Sequence, residues 1–181
     1  MVWYLDWEFP FLYALQDLHS DWLDPVMTFL TNLGNGGILN IWIITGIILL
    51  FPKKTRRMGL HVLISMLFTF IIGNLILKNA FARTRPCDID TTIALLIPHP
   101  SEFSFPSGHS MNGMTAAVAL FLNNKKIGIP AIALAVTIGF TRLYHFVHFP
   151  TDVLAGFAIG IIVAVVVDYI FKQIQKKKNI A

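Results

Sequence analysis

Apolar residues run along this chain in long blocks, separated by short knots of polar and charged residues. Ile38 to Phe51, Gly59 to Leu77, Ser107 to Asn123, Ile127 to Phe140 and Val153 to Phe171 each read as a helix that is apolar nearly all round, the pattern of a membrane span. The first is the shortest: about 14 residues make roughly 21 Å of helix against a hydrocarbon core near 30 Å, so it needs upstream turns or a thin bilayer. Small residues at Gly113, Ala116, Ala117 and Ala119, and at Gly156 and Gly160, offer faces for close helix contact.

Outside these blocks the pattern changes. Met1 to Leu33 mixes Trp3, Tyr4, Trp7, Phe9, Phe11, Leu12 and Leu15 with Asp6, Glu8, Gln16 and Asp17, which suits helix lying in the headgroup zone. Its second half, Trp22 to Leu33, opens on Asp24-Pro25 as N-cap and first helical residue, and Asn32 to Gly37 breaks it. Asn79 to Ser104 is the longest polar interval, of a length more often functional than merely connecting. The expectation is an all-α polytopic membrane bundle in one domain, 1-181. It has an interfacial region over 1-33, a transmembrane bundle of about five helices over 38-171 and a cytoplasmic tail over 172-181. An acidic N-terminus with no basic region ahead of an apolar core does not read as a cleaved signal peptide.

Composition agrees: 55% of residues are hydrophobic and 13% charged, where soluble domains carry about a quarter charged. The formal charge of +4 comes from Lys53 to Arg57, Lys125-Lys126 and Lys172 to Lys178, which are knots between apolar blocks and read as topology. No basic stripe interleaved with aromatics is present, so nucleic acid is not an expected partner. With these clusters in the cytoplasm, alternation brings Lys78 to Ser107, Arg142 to Asp152 and the N-terminal region to the outer face. The lone Cys87 excludes an internal disulfide and a cysteine-based zinc site.

The polar motifs at that face have a definite chemistry. Pro106-Ser107-Gly108-His109 reads as a helix start, where free N–H groups and the helix dipole receive an anion such as phosphate and glycine permits close approach. Lys78, Arg85 and Arg142 add positive charge, and the planar fork of arginine matches two phosphate oxygens. Such a cradle stabilises a phosphoryl transition state by fixed charge, with no metal or cofactor needed. His148 and Asp152 are four apart across Pro150, so a carboxylate can set the histidine tautomer and make its other nitrogen a nucleophile. His109 remains to protonate a leaving oxygen.

Lys78-x6-Arg85-Pro86, Pro106-Ser107-Gly108-His109 and Arg142-x5-His148-x3-Asp152 together resemble the three-part signature of the type 2 phosphatidic acid phosphatase family, in family order and spacing. The resemblance implies His148 as nucleophile, Asp152 as its partner and His109 as general acid. It implies Lys78, Arg85, Ser107, Gly108 and Arg142 as the phosphate cradle. It also implies a membrane lipid phosphate as substrate, with undecaprenyl pyrophosphate favoured over phosphatidylglycerol phosphate and phosphatidic acid. One departure is visible: Thr141 stands where the family has serine, keeping a hydroxyl donor. Two other classes stay open at this stage, a non-enzymatic lipid transporter and a metal-dependent hydrolase using His145, His148 and Asp152. Oligomeric state is not encoded. Arg83, Asp88, Asp90, His99 and Glu102 either touch the substrate headgroup or solvate the loop, the second being favoured; His61 and Asn74 are expected to hydrogen-bond neighbouring helices, and Asp168 with Lys172 to form a structural pair.

Overall fold

A computed structural model describes residues 1–35 and 40–178. Gly36-Gly37 of the expected break, the expected start of the first span at Ile38 and the end of the tail lie outside the described residues. The regular structure among the described residues is all helical, with no strand among them. In chain order the helices are α1 (Glu8–Gln16), α2 (Leu23–Asn32), α3 (Ile41–Leu50), α4 (Arg56–Thr69), α5 (Lys78–Phe81), α6 (Pro86–Ile89), α7 (Gly108–Asn123), α8 (Lys125–Tyr144) and α9 (Pro150–Lys178). Between α4 and α5 the helix does not stop but widens into π-helical turns over Phe70–Leu77.

Three stretches are long and apolar enough to cross a bilayer alone: Arg56–Ile89, Lys125–Tyr144 and Pro150–Lys177, with Ile41–Leu50 a shorter apolar helix. The third expected span has a different place. Every residue of α7 from Met111 to Leu120 except Asn112 is buried, so this helix is the axis of the bundle, packed by α8 and α9 and flanked by α4. Its 16 residues make about 24 Å of helix, which others wrap rather than lipid.

Glycine sets the packing on that axis. A Cβ on Gly160 would stand 2.7 Å from the Met111 carbonyl oxygen and 2.9 Å from the Thr115 nitrogen, and one on Gly156 2.8 Å from the Ser107 carbonyl oxygen. The expected small-xxx-small face therefore lies on the backbone of α7. On the other side only Asn124 separates α7 from α8, and a Cβ on Gly128 would fall 2.1 Å from Cα of Phe121.

The bundle has two buried clusters. One, around Trp42, Val62, Met66, Met114, Leu120, Ile138 and Ala164, fills its middle. The other gathers Leu12 and Leu15 of α1 with Cys87, Leu143, Phe146, Phe149 and Val153, and so docks the N-terminal region onto the turn between α8 and α9. Trp7, Phe11, Trp22 and Phe29 stay exposed on the outer side of α1 and α2. Helix α2 begins two residues earlier than its Asp24-Pro25 signal, because the Asp24 carboxylate accepts from the Tyr144 hydroxyl instead of capping.

At one end of the bundle, the start of α4, the α7–α8 turn and the end of α9 bring all the basic knots together. Asp168 pairs with Lys172 at 2.6 Å, and His61 bonds Asn123 at 2.8 Å and the Ala164 carbonyl at 2.9 Å, as expected. The opposite end collects α5, the start of α7, the end of α8 and the start of α9. Gly160→Ala is expected to force α7 and α9 apart and to cost about 1–3 kcal/mol, read as a lower thermal midpoint in detergent; a substitution at the exposed Ala158 should leave the midpoint in place.

Candidate active site

Ala82, at φ 42°, ends α5 and turns the chain so that Arg83 and Arg85 point back into the bundle. Pro86 opens α6 and Pro150 opens α9, both at first helical positions where a missing N–H costs nothing. Ser107 stands as the N-cap of α7. Phe146, fully buried with φ 57°, makes the sharp turn after α8 that swings His148 inward.

These turns meet around one cavity of about 770 Å³. Lys78, Arg85, Gly108, His109, Arg142 and His148 all line it. Asp152 and Ser107 stand behind its wall, both fully buried. A Cβ on Gly108 would meet only the Asn74 Oδ1 at 3.7 Å and the Lys78 Nζ at 3.9 Å, so the glycine leaves open the approach to the α7 N-terminus.

Each cation is held differently. The Arg85 guanidinium donates to the carbonyls of Glu102 (2.7 Å), Val147 (2.7 Å) and Phe103 (3.3 Å), and lies 3.1 Å from His148 Nε2. Lys78 pairs with the Glu102 carboxylate. Arg142 donates to the Thr31 hydroxyl at 2.6 Å, while its buried Nε finds no acceptor among the described residues.

Arginine can only donate, so His148 Nε2 accepts and the ring proton sits on Nδ1. That nitrogen faces Ser104 Oγ at 3.4 Å and Asp152 Oδ2 at 3.5 Å. The expected pairing of His148 with Asp152 is present in position but looser than a hydrogen bond, because Asp152 Oδ2 accepts from Ser104 Oγ at 2.6 Å and the Phe149 N–H at 2.8 Å. Burial first, then the charge of Arg85, holds the His148 imidazole well below its usual pKa and therefore neutral at pH 7.

Several expectations are corrected. Arg83 does not solvate a loop: it is fully buried, bonded to both Glu8 and Asp152. Glu102 reaches the cradle lysine. Asp88 pairs with His99 at 2.7 Å, and Asp90 accepts from Tyr13 at 2.8 Å, so these are loop braces. The Thr141 hydroxyl donates to the Ile138 carbonyl of its own helix at 2.6 Å, away from the cradle. His145 joins Thr28 and the Thr141 carbonyl rather than His148. Asn74 Oδ1 is buried and finds no partner among the described residues, where a bond to a neighbouring helix was expected. Cys87 comes together with Asp88 and His99 within 4.8 Å, a mixed ligand cluster apart from the cradle that single-cysteine reasoning passes over.

Sequence reasoning missed the N-terminal contributors altogether. Besides Glu8 and Thr31, Asn35 Oδ1 lies 2.6 Å from His109 Nε2, and a Cβ on Gly34 would press on the same ring at 2.7 Å. Polar side chains on amphipathic helices were the available signal, but nothing in their spacing links them to motifs so far along the chain.

The cavity, with its two histidines and three cations, stands at one end of an apolar helical bundle, and comparison with known proteins gives the class, a membrane-embedded phosphatase. The chain belongs to the PAP2 superfamily, whose profile matches residues 58–176. It is 36% identical to the phosphatidylglycerophosphatase B of Bacillus subtilis over 88% of this chain and 80% of that one. It is also 36% identical to an undecaprenyl-diphosphatase of Sulfolobus acidocaldarius, over 76% of this chain and 66% of that protein, just under two thirds of its length. The crystal structure of the transmembrane PAP2-type phosphatidylglycerolphosphate phosphatase from Bacillus subtilis superposes with a TM-score of 0.74 at 33% identity, covering 91% of this chain and 84% of that one.

The Lys78 pairing holds the Glu102 carboxyl below its usual range, so the contact persists through neutral pH and breaks only as pH falls through that depressed value. Glu102→Gln is expected to free the lysine and tighten inorganic phosphate binding several-fold at pH 7, measured by calorimetric titration, with the difference from wild type shrinking only as pH falls below the ordinary carboxylate range.

Proposed function

We propose that the protein hydrolyses a phosphate ester or pyrophosphate on a membrane lipid through a phosphohistidine, without metal or cofactor. One observation carries the reading: the cavity that holds the cationic cradle continues along Ile43, Leu63, Met66, Leu67 and Phe70 of α3, α4 and the widened turns. A charged headgroup and an apolar tail thus have adjoining walls. Leu67 and Phe70 are also exposed on the outer surface, which gives a tail a lateral way in from the bilayer.

His148 Nε2, carrying the lone pair, attacks phosphorus in line with the departing oxygen. Lys78, Arg85, Arg142 and the free N–H groups at the start of α7 neutralise the equatorial oxygens, the charge stabilisation a metal ion would otherwise supply. Asp152 offsets the positive charge that grows on the imidazole. His109 protonates the departing oxygen; its Nε2 already faces an oxygen acceptor, Asn35 Oδ1. Water deprotonated by His109 then cleaves the phosphorus–nitrogen bond and restores both histidines.

Undecaprenyl pyrophosphate is the favoured substrate, with phosphatidylglycerol phosphate and then phosphatidic acid behind it; the names of the relatives support the first two. The site opens at the extracytoplasmic face, since the basic knots gather at the opposite end and mark it as cytoplasmic. The exposed aromatics of α1 and α2 then lie at headgroup level beside the cavity mouth.

The test is phosphate release from these three lipids in detergent with excess chelator. Wild type is expected to be active, His148→Ala to fall to background, and His109→Ala to lose about 10²–10⁴-fold. Activity abolished by chelator, or retained by His148→Ala, would overturn the reading. Because burial holds His148 neutral well below the usual histidine range, its protonation should cut kcat/KM only well below about pH 6.5.

A further inference from the structure

Behind the catalytic histidine lies a buried charge network that reaches the N-terminal helix. The Arg83 guanidinium is stacked between the rings of Trp3, at 3.9 Å, and Phe149, at 4.2 Å. Its NH2 donates to Glu8 Oε2 at 2.7 Å, its NH1 to Thr151 Oγ1 at 2.7 Å and to Asp152 Oδ1, and its Nε to the Trp3 carbonyl at 3.0 Å. Glu8 is fully buried as well. Besides Arg83 it accepts from the Leu5 N–H at 2.9 Å, the Thr151 N–H at 3.1 Å and the Thr151 hydroxyl at 2.7 Å. Every contact is donated to it, as a carboxylate requires.

The electrostatics of this arrangement are specific. A guanidinium bonded to Asp152 alone would cancel the charge that the catalytic pair needs. With Glu8 on its other edge, the Glu8–Arg83–Asp152 group keeps a single net negative charge, in a setting too dry to screen it. We infer that Glu8, acting through Arg83, is a positioning residue that fixes the Asp152 carboxylate and leaves it the net charge to stabilise the phosphorylated imidazole of His148. This rests on His148 being the nucleophile. The other groups facing His148 are Arg85, Lys78 at the end of the widened helix, His109 of α7, Arg142 of α8 and the Ser104 hydroxyl; none is altered by a change at Glu8.

Glu8→Gln keeps the shape of the side chain and removes one negative charge. With the full-length protein in detergent, and with phosphatidylglycerol phosphate and undecaprenyl pyrophosphate as substrates, kcat should fall by about tenfold with KM within about twofold. The acid limb of kcat/KM should move to lower pH by about half a unit or more, because an imidazole facing less negative charge is harder to protonate. Thr151→Val removes hydrogen bonds to Glu8 and Arg83 without changing charge, and should leave the limb where it is.

A Glu8→Gln protein with unchanged kcat and pH profile overturns the inference. So does one whose limb moves to higher pH, since mere loosening would let water reach His148 and raise its pKa toward that of free histidine. If Glu8→Gln does not fold, Glu8→Asp keeps the charge on a shorter arm: a lowered kcat with an unmoved limb supports the inference, and an upward shift overturns it. Wild type and His148→Ala run alongside; wild type inactive on both lipids, or His148→Ala as active as wild type, marks a failure of the phosphohistidine reading itself.

Discussion

Four cationic side chains, Lys78, Arg83, Arg85 and Arg142, are almost entirely buried at one end of an apolar bundle, and the rest of the structure answers that constraint. A buried charge is costly unless it is paired or fully hydrogen-bonded. Arg83 is neutralised by two carboxylates, Arg85 is wrapped by backbone carbonyls, and Lys78 takes a carboxylate from the loop. Arg142 alone keeps a buried N–H without an acceptor among the described residues. The four buried charges are thus met mostly by the protein's own groups.

That arrangement separates two jobs that arginine is asked to do in one short segment. Arg83 and Arg85 are two residues apart, yet Arg83 bonds Asp152 from behind while Arg85 meets His148 on the cavity side. The αL residue Ala82 and the extended backbone leading into α6 turn the two side chains to different neighbours. Arg85 also ties the Glu102–Phe103 loop and the Val147 carbonyl to one point, so the backbone around His148 is fixed by a side chain that itself lines the cavity.

The N-terminal region is more than an anchor at the membrane surface. Glu8, Thr28, Thr31 and Asn35 each take hold of a residue within the three motif segments: Arg83, His145, Arg142 and His109 in turn. The family profile begins at residue 58, so the N-terminal partner of each contact lies ahead of the stretch it matches. Their apolar counterpart is the packing of Leu12 and Leu15 onto the α8–α9 turn, which excludes water from the buried charges and keeps their interactions strong.

The sequence by itself determined that this is an apolar helical bundle, which residues stand at helix starts, and that Lys78, Arg85, Gly108, His109, Arg142 and His148 share one end of it. Those properties follow from local period, from proline and glycine at helix boundaries, and from the alternation of spans. It did not determine that α7 is the axis, because apolar composition alone cannot tell a lipid-facing helix from a helix-facing one. Nor did it show Glu8 with Arg83, Thr31 with Arg142, or Asn35 with His109, which lie 75, 111 and 74 residues apart. Contacts at such separation have no period to reveal them; they exist only because tertiary packing lays α1 and α2 across the site, where buried charge makes a polar partner necessary.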